Sequence, residues 1–266
     1  QYKLLKVNAD KMVFTQTTKN GFTTYTWQMK YVAQEVIEDG DVNYKNYLPH
    51  LIVLIQDYTF NNKTTEVLKD TNSLYNYYSA FLNGINCVKD SALQNLVDSI
   101  TNNLSTDAEK VKAIYYWVQD NIQYVAFESG LEGFVPRNAS LIYKRRFGDC
   151  KDMASIITYM CKLANIKAYF TWIGTRDIPY RYEEIPAPLC DNHMTACYIH
   201  NGIYTFLDGT ADDLPYGYPS GFILGKQALV SLDSVHYKLV DVSPPADSLS
   251  FRNDSVYITL NGTNII

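Results

Sequence analysis

Alternation comes first along the chain. β-Branched and aromatic residues in Lys11-Met12-Val13-Phe14-Thr15 and in Phe22-Thr23-Thr24-Tyr25-Thr26-Trp27 flank Asn20-Gly21, a dipeptide suited to the positive φ angles of a two-residue hairpin turn. Leu51 to Ile55 reads as a buried strand, and the polar Asn61-Asn62-Lys63 as a boundary after which the period lengthens. Helical character is expected from Thr65 to Leu82 and from Ser91 to Leu104, where Leu93, Leu96, Val97 and Ile100 share one face. Thr106 and Glu109 fit a capping box, and Val111, Ile114, Tyr115, Val118 and Ile122 continue it as an apolar stripe. A loop with Gly130, Gly133 and Pro136 follows. From Cys150 the stripe Met153, Ile156, Ile157, Met160 and Leu163 predicts another buried helix with Cys150 in its first turn. Strands return at Ala168 to Ile173, Met194 to Ile199 and Ile203 to Asp208, with a long loop from Arg176 to Asn192 between the first two.

Helices followed by sheet, rather than strict alternation of the two, point to an α+β fold. The pattern divides into a β-rich N-terminal region over 1–62, a core over 63–242, and a tail over 243–266. In the tail, Ser243-Pro244-Pro245 reads as a linker and Val256, Ile258 and Leu260 as the start of a further β domain. At 266 residues with 19% charged and 47% hydrophobic positions, the chain is long and apolar enough to bury a core, which excludes disorder and coiled coil. No apolar run approaches the roughly 20 residues of a membrane span. The start at Gln1, without an initiator Met or a signal pattern, reads as a mature or excised piece. A net charge of −5 without a basic stripe argues against nucleic acid as partner. Five cysteines with no CxxC pair suggest neither a disulfide framework nor a zinc site.

Gly148-Asp149-Cys150-Lys151-Asp152 places a cysteine at a loop-to-helix junction, where unpaired N–H groups and the helix macrodipole favour a thiolate. Arg145, Arg146 and Lys151 add at most a minor positive field. A base follows from strand register. If Asn201-Gly202 is a two-residue turn, His200 faces Ile203, Thr195 faces Asp208, and His193 lies diagonally from Asp208 on the same face. An imidazole oriented by a carboxylate is what a general base needs. Cys87, Cys161 and Cys197 read as buried and inert, while Cys190 sits in a polar loop, exposed or disulfide-linked. His50 and His200 read as ordinary loop or turn residues, and His236 has Asp233 nearby but no register to pair them.

The stretch from Lys110 to Asp208 resembles the transglutaminase-like superfamily of papain-fold cysteine enzymes. The likeness is carried, in order, by the helix Val111 to Val118, Asn121-Ile122-Gln123-Tyr124, Phe147-Gly148-Asp149-Cys150-Lys151-Asp152-Met153-Ala154, Asn192-His193-Met194 and Leu207-Asp208-Gly209-Thr210. The resemblance implies a papain-like core of helices packed on an antiparallel sheet. It also implies Cys150 as nucleophile, His193 as general base and Asp208 as its orienter. The flanks resemble, before the core, the end of a domain of unknown function and, after it, the start of a β-sandwich, both found in exported bacterial proteins. An exported, periplasmic or envelope-associated location is what that likeness implies. No acidic loop has calcium-ligand spacing, and neither Trp117 nor Trp172 stands where an oxyanion-stabilising tryptophan would, so both read as core residues. The backbone N–H of Cys150 is the expected oxyanion donor.

These readings converge on cysteine-dependent acyl transfer from a peptide or carboxamide through a thioester, with no cofactor or metal and with hydrolysis favoured over cross-linking. The rival is an inactive module of the same fold that binds peptides or scaffolds an envelope protein. A metal site at Cys150, His193 and Asp208 lacks a further ligand. Among 23 tyrosines, Tyr180 and Tyr182, in the loop before His193, are the candidates for lining a substrate groove.

Overall fold

The computed structural model describes residues 1–32, 43–126, 129–249, 253–258, 260–261 and 264–265. Hairpins and strand pairs open the chain. Strand β1 (Tyr2–Val7) pairs antiparallel with β4 (His50–Ile55), and β2 (Val13–Lys19) with β3 (Phe22–Gln28). The turn between β2 and β3 is made by Asn20 (φ 53°) and Gly21 (φ 77°), as that dipeptide predicts. Strands β5 (Asp57–Phe60) and β6 (Lys63–Glu66) form a further hairpin. Its turn is Asn61-Asn62, both at positive φ, so this polar stretch is not the boundary that composition suggested. Asparagine supplies the left-handed backbone that a two-residue turn demands.

The first helix therefore starts later than the period implies, at α1 (Thr71–Ala80), where the Asp70 side chain caps the Ser73 N–H at 2.8 Å. Helix α2 (Ser91–Thr101) buries Leu93 and Val97. Helix α3 (Asp107–Asn121) carries the Thr106/Glu109 capping box and buries Val111, Ile114, Tyr115 and Val118. Short strands β7 (Gln123–Tyr124) and β8 (Phe147–Gly148) pair in parallel. Between them lies α4 (Ala139–Arg145), which the sequence pattern did not disclose. It ends where Arg146 adopts φ 62°, and the Arg146 guanidinium lies over the rings of Tyr143 and Trp117 rather than at the site.

Helix α5 (Cys150–Leu163) runs through the middle of the molecule. Twelve of its fourteen residues are buried, so it is enclosed on every side and not merely striped. It lies against a five-stranded antiparallel sheet of β9 (Ala168–Ile173), β10 (His193–His200), β11 (Ile203–Leu207), β12 (Gln227–Ser231) and β13 (Tyr237–Asp241), in the order β11-β10-β9-β12-β13. Trp172, Met194, Ala196, Leu207 and Leu229 face the main core with α5, while Ile173, Cys197, Phe206, Ala228 and Val230 form a second cluster on the opposite face. Strands β12 and β13 complete the sheet beyond the elements read from periodicity. Five helices and this sheet make the α+β architecture.

In the tail, Asp247–Leu249 is a 3-10 turn, and β14 (Leu260–Asn261) pairs with β15 (Asn264–Ile265). Val256 and Ile258 are exposed and outside any strand. No described helix is long and apolar enough to cross a membrane.

Candidate active site

Two sequence-distant segments fix the position of Cys150. Parallel pairing sets Gln123 beside Phe147 and Tyr124 beside Gly148, and the Val125 N–H continues the ladder to the Gly148 carbonyl at 2.8 Å. The end of α3 thereby anchors the strand that leads into α5. Gly148 must be glycine here, since a Cβ would stand 2.5 Å from the Asp152 Cβ. Asp149 then caps α5. Its Oδ1 accepts the N–H groups of Lys151 and Asp152, and Asp152 returns a bond to the Asp149 N–H. Cys150 is the first helical residue, where backbone N–H groups have no intrahelical acceptor. It is 5% exposed.

Two buried carboxylates in that first turn need counter-charges, because an unpaired buried ion costs several kcal/mol. Lys151 Nζ pairs with Asp149 Oδ2 at 2.7 Å, and Arg137 Nη1 with Asp152 Oδ2 at 2.6 Å. Arg137 also donates its backbone N–H to Asp152 Oδ1 and reaches Glu132 Oε2 at 2.8 Å. Lys151 is thus a structural counter-ion rather than a field on the thiol. Arg137, one residue after Pro136 in a glycine-rich loop, carried no periodic signal.

The register predicted from Asn201-Gly202 is the one observed. The turn has φ 50° and 78°, and His200 pairs with Ile203, continuing to Ala196 opposite Leu207. One further step sets Thr195 opposite Asp208. His193, at the start of β10, bonds through Nε2 to Asp208 Oδ2 at 3.0 Å. With Nε2 so engaged, Nδ1 is the ring nitrogen left to face Cys150, which lines the same cleft. Burial would lower the imidazole pKa, but the hydrogen bonds and negative charges of Asp208 and Cys150 outweigh it and raise it to about 10. Burial would raise that of Asp208, yet His193, Ser220 and Thr210 hold the carboxyl below its ordinary range. Thr210 donates both Oγ1–H (2.7 Å) and N–H (3.2 Å) to Oδ1, and the Ser220 hydroxyl donates to Oδ2. The Phe222 ring stands edge-on to His193 at 5.1 Å. Ser220 and Phe222 come from the loop after Asp208 and had no signal in the sequence.

A cleft of about 280 Å³ opens over this cluster, lined by Cys150, His193, Trp172, Phe134, Asp191 and Met194 among others. Trp172 was expected to be core alone. It is buried and stacks on Tyr78 at 4.9 Å, yet it also forms cleft wall, because β9 ends beside the start of β10. Tyr180 and Tyr182 do not line this cleft. Tyr182 is 1% exposed and its hydroxyl donates to Asp191 Oδ2 at 2.8 Å, while Tyr180 is buried with its hydroxyl 2.7 Å from His50 Nε2. The loop folds inward because both rings are apolar bodies with a polar tip that finds a partner.

The remaining thiols separate cleanly. Cys161, Cys190 and Cys197 are buried, which pushes each up to about 12, and Cys190 donates to the Ile185 carbonyl at 2.8 Å. Cys87 is exposed, contrary to its reading as buried. All five cysteines are free. His236 and Asp233 pair within an exposed local turn. Among the described residues no group of three or more His, Cys, Asp or Glu could hold a metal.

Residues 94–198 match the family model of the transglutaminase-like superfamily. This stretch is a transglutaminase-like core. Among solved structures, the chain is similar to a candidate protease from Parabacteroides distasonis (10% identity, TM-score 0.62, 92% of this chain and 43% of that one). It is also similar to a candidate cysteine protease from Cytophaga hutchinsonii (14%, TM-score 0.38, 79% and 65%) and to a TGase (15%, TM-score 0.31, 81% and 49%). At these identities the likeness is one of fold, and the first structure alone carries it. The chain spans less than two thirds of each of these longer proteins. No curated protein matches the sequence.

Proposed function

We propose that the transglutaminase-like core is a cysteine-dependent hydrolase of peptide or carboxamide bonds. The observation that carries the reading is the His193 ring, hydrogen-bonded to Asp208 and lining the same cleft as Cys150. The Cys150 thiolate attacks the substrate carbonyl carbon, forming a C–S bond, while the backbone N–H of Cys150, the first-turn donor that Asp149 does not take, stabilises the oxyanion. As the C–N bond breaks, the His193 imidazolium protonates the departing nitrogen. Acylation removes the negative charge of Cys150, one of the influences that hold the ring proton. The neutral ring then takes a proton from water, whose oxygen attacks the thioester and releases Cys150 and a carboxylic acid. Water is the acceptor in this reading, as the default nucleophile for a thioester. Asp208 keeps one tautomer and stabilises the cation without itself taking the proton.

Export to the envelope or beyond belongs to the same proposal and rests on the likeness of the flanks. Fractionation of cells producing the natural gene product tests it, and recovery in the cytoplasm alone would defeat it.

The catalytic reading is tested by alkylation with iodoacetamide, mapped by mass spectrometry, across pH in the parent and in His193→Ala. Rapid labelling of Cys150 well below the free-thiol pKa of about 8.5, lost in His193→Ala, is the expected result. Labelling only at alkaline pH and indifferent to His193 would favour an inactive peptide-binding module.

A further inference from the structure

Asp191 stands in the wall of the cleft, two residues before His193. Its Oδ2 accepts two hydrogen bonds, from Tyr78 of α1 (2.6 Å) and from Tyr182 (2.8 Å). No protein group among the described residues bonds to Oδ1, and the residue as a whole is half-buried. The same residue, with Pro188, also lines a second cavity of about 430 Å³ bounded by Leu51, Ile52 and Val53 of β4 and by Ile178, Leu189 and Tyr180, so Tyr180, outside the inner cleft, borders this outer one. Asp191 and Pro188 therefore border both cavities, one holding Cys150 and the other beside the N-terminal strands. Charges along them are few. Lys151 is tied to Asp149, and both His50 nitrogens are engaged, by the Leu48 carbonyl and by Tyr180. Lys45 borders the outer cavity but forms no ion pair with Asp191. A carboxyl held by two phenols through one oxygen, in the wall of the cleft that contains Cys150, keeps its other oxygen for a cation.

We propose that Asp191 is a specificity residue that binds an ammonium group of the peptide substrate, through Oδ1, beside the scissile bond. This deepens the hydrolase reading and rests on it for the identity of the ligand. The ammonium could be a free α-amine or a lysine side chain, and the cleft accepts either chemistry. A carboxylate that anchored only Tyr78 and Tyr182 would serve the fold without discriminating among ligands.

The test uses three dipeptidyl acyloxymethyl ketones of matched size: one with a free α-amine, one N-acetylated with lysine, and one N-acetylated with norleucine. Rates of Cys150 modification are read by mass spectrometry, each divided by the iodoacetamide rate of the same protein. At least one cationic probe is expected to react about tenfold faster than the neutral one, the effect of a single charge-assisted bond, and Asp191→Asn to abolish that ratio. Which cationic probe wins identifies the source of the ammonium. Equal rates for all three, or a preference that survives in Asp191→Asn, would overturn the assignment. Calorimetric binding of the corresponding peptide amides to Cys150→Ser reads the same preference without chemistry. A silent Cys150 in the parent would thus sink the hydrolase reading, whereas absence of any charge preference in binding would sink this one.

Discussion

At the residue scale, His193 and Asp191 illustrate opposite uses of burial. Around His193 two anionic partners overcome desolvation and raise the ring to about 10. If turnover needs the imidazolium as proton donor, its alkaline limb in kcat/KM is expected near that value. Asp208→Asn, which removes one of the charges, should move the limb down by at least one pH unit, and an unmoved limb would show that Asp208 does not hold the proton. Around Asp191, burial prevails over the Tyr78 and Tyr182 hydrogen bonds and raises the carboxyl to about 7. A carboxyl raised on folding loses stability as pH climbs from its unfolded value to its folded one. Asp191→Asn should therefore raise Tm at pH 8 relative to the parent and change it little near pH 4, and a loss of Tm at both would mean that the tyrosines need the charge. The groups that face it, Tyr78, Tyr182 and Cys190, are themselves pushed up and stay neutral in that range.

At the scale of elements, the junction of β8 with α5 sets the position of Cys150. Its polar residues form a closed set, with Asp149 on Lys151 and Asp152 on Arg137. Arg137→Ala would leave Asp152 buried and unpaired at a cost of about 3 kcal/mol, measurable as a lower urea midpoint. A midpoint unchanged within error would mean that water replaces the guanidinium. Gly148→Ala would drive a methyl into Asp152, and slower alkylation of Cys150 is expected even where the fold survives. Helix α3, capped and striped, and the β10 to β11 turn were both readable because local chemistry decides them. A capping box and an Asn-Gly turn act within a few residues. Helix α4 and strand β12 were not, since their form depends on what they pack against. Asn61-Asn62 misled because the same polar residues suit a boundary and a tight turn alike.

For the whole molecule, the ionisable groups bracket a stability optimum. Asp70, Asp90 and Asp208 are held below the usual carboxylate range, the first two chiefly by helix N-terminal backbone N–H groups. Their contribution is present above the unfolded carboxylate pKa and is lost as pH falls through the folded values. His193 contributes fully below its unfolded value of 6.5 and fades as pH rises through about 10. Tm should be highest between about pH 5 and 7, and a flat profile from pH 3 to 10 would contradict these assignments. The pair of cavities that Asp191 borders is also a property of this scale, since no single segment contains them.

The sequence by itself determined the helix that begins at Cys150, the hairpin register that aligns His193 with Asp208, and the order of helices before sheet. Each depends on short-range rules of capping, turn geometry and periodicity. Only the tertiary structure decided that Tyr180 and Tyr182 turn inward, that Trp172 borders the cleft, and that Arg137, Ser220 and Asp191 join the site. Those placements depend on which buried polar groups find partners across long sequence separations, and no local pattern encodes that pairing.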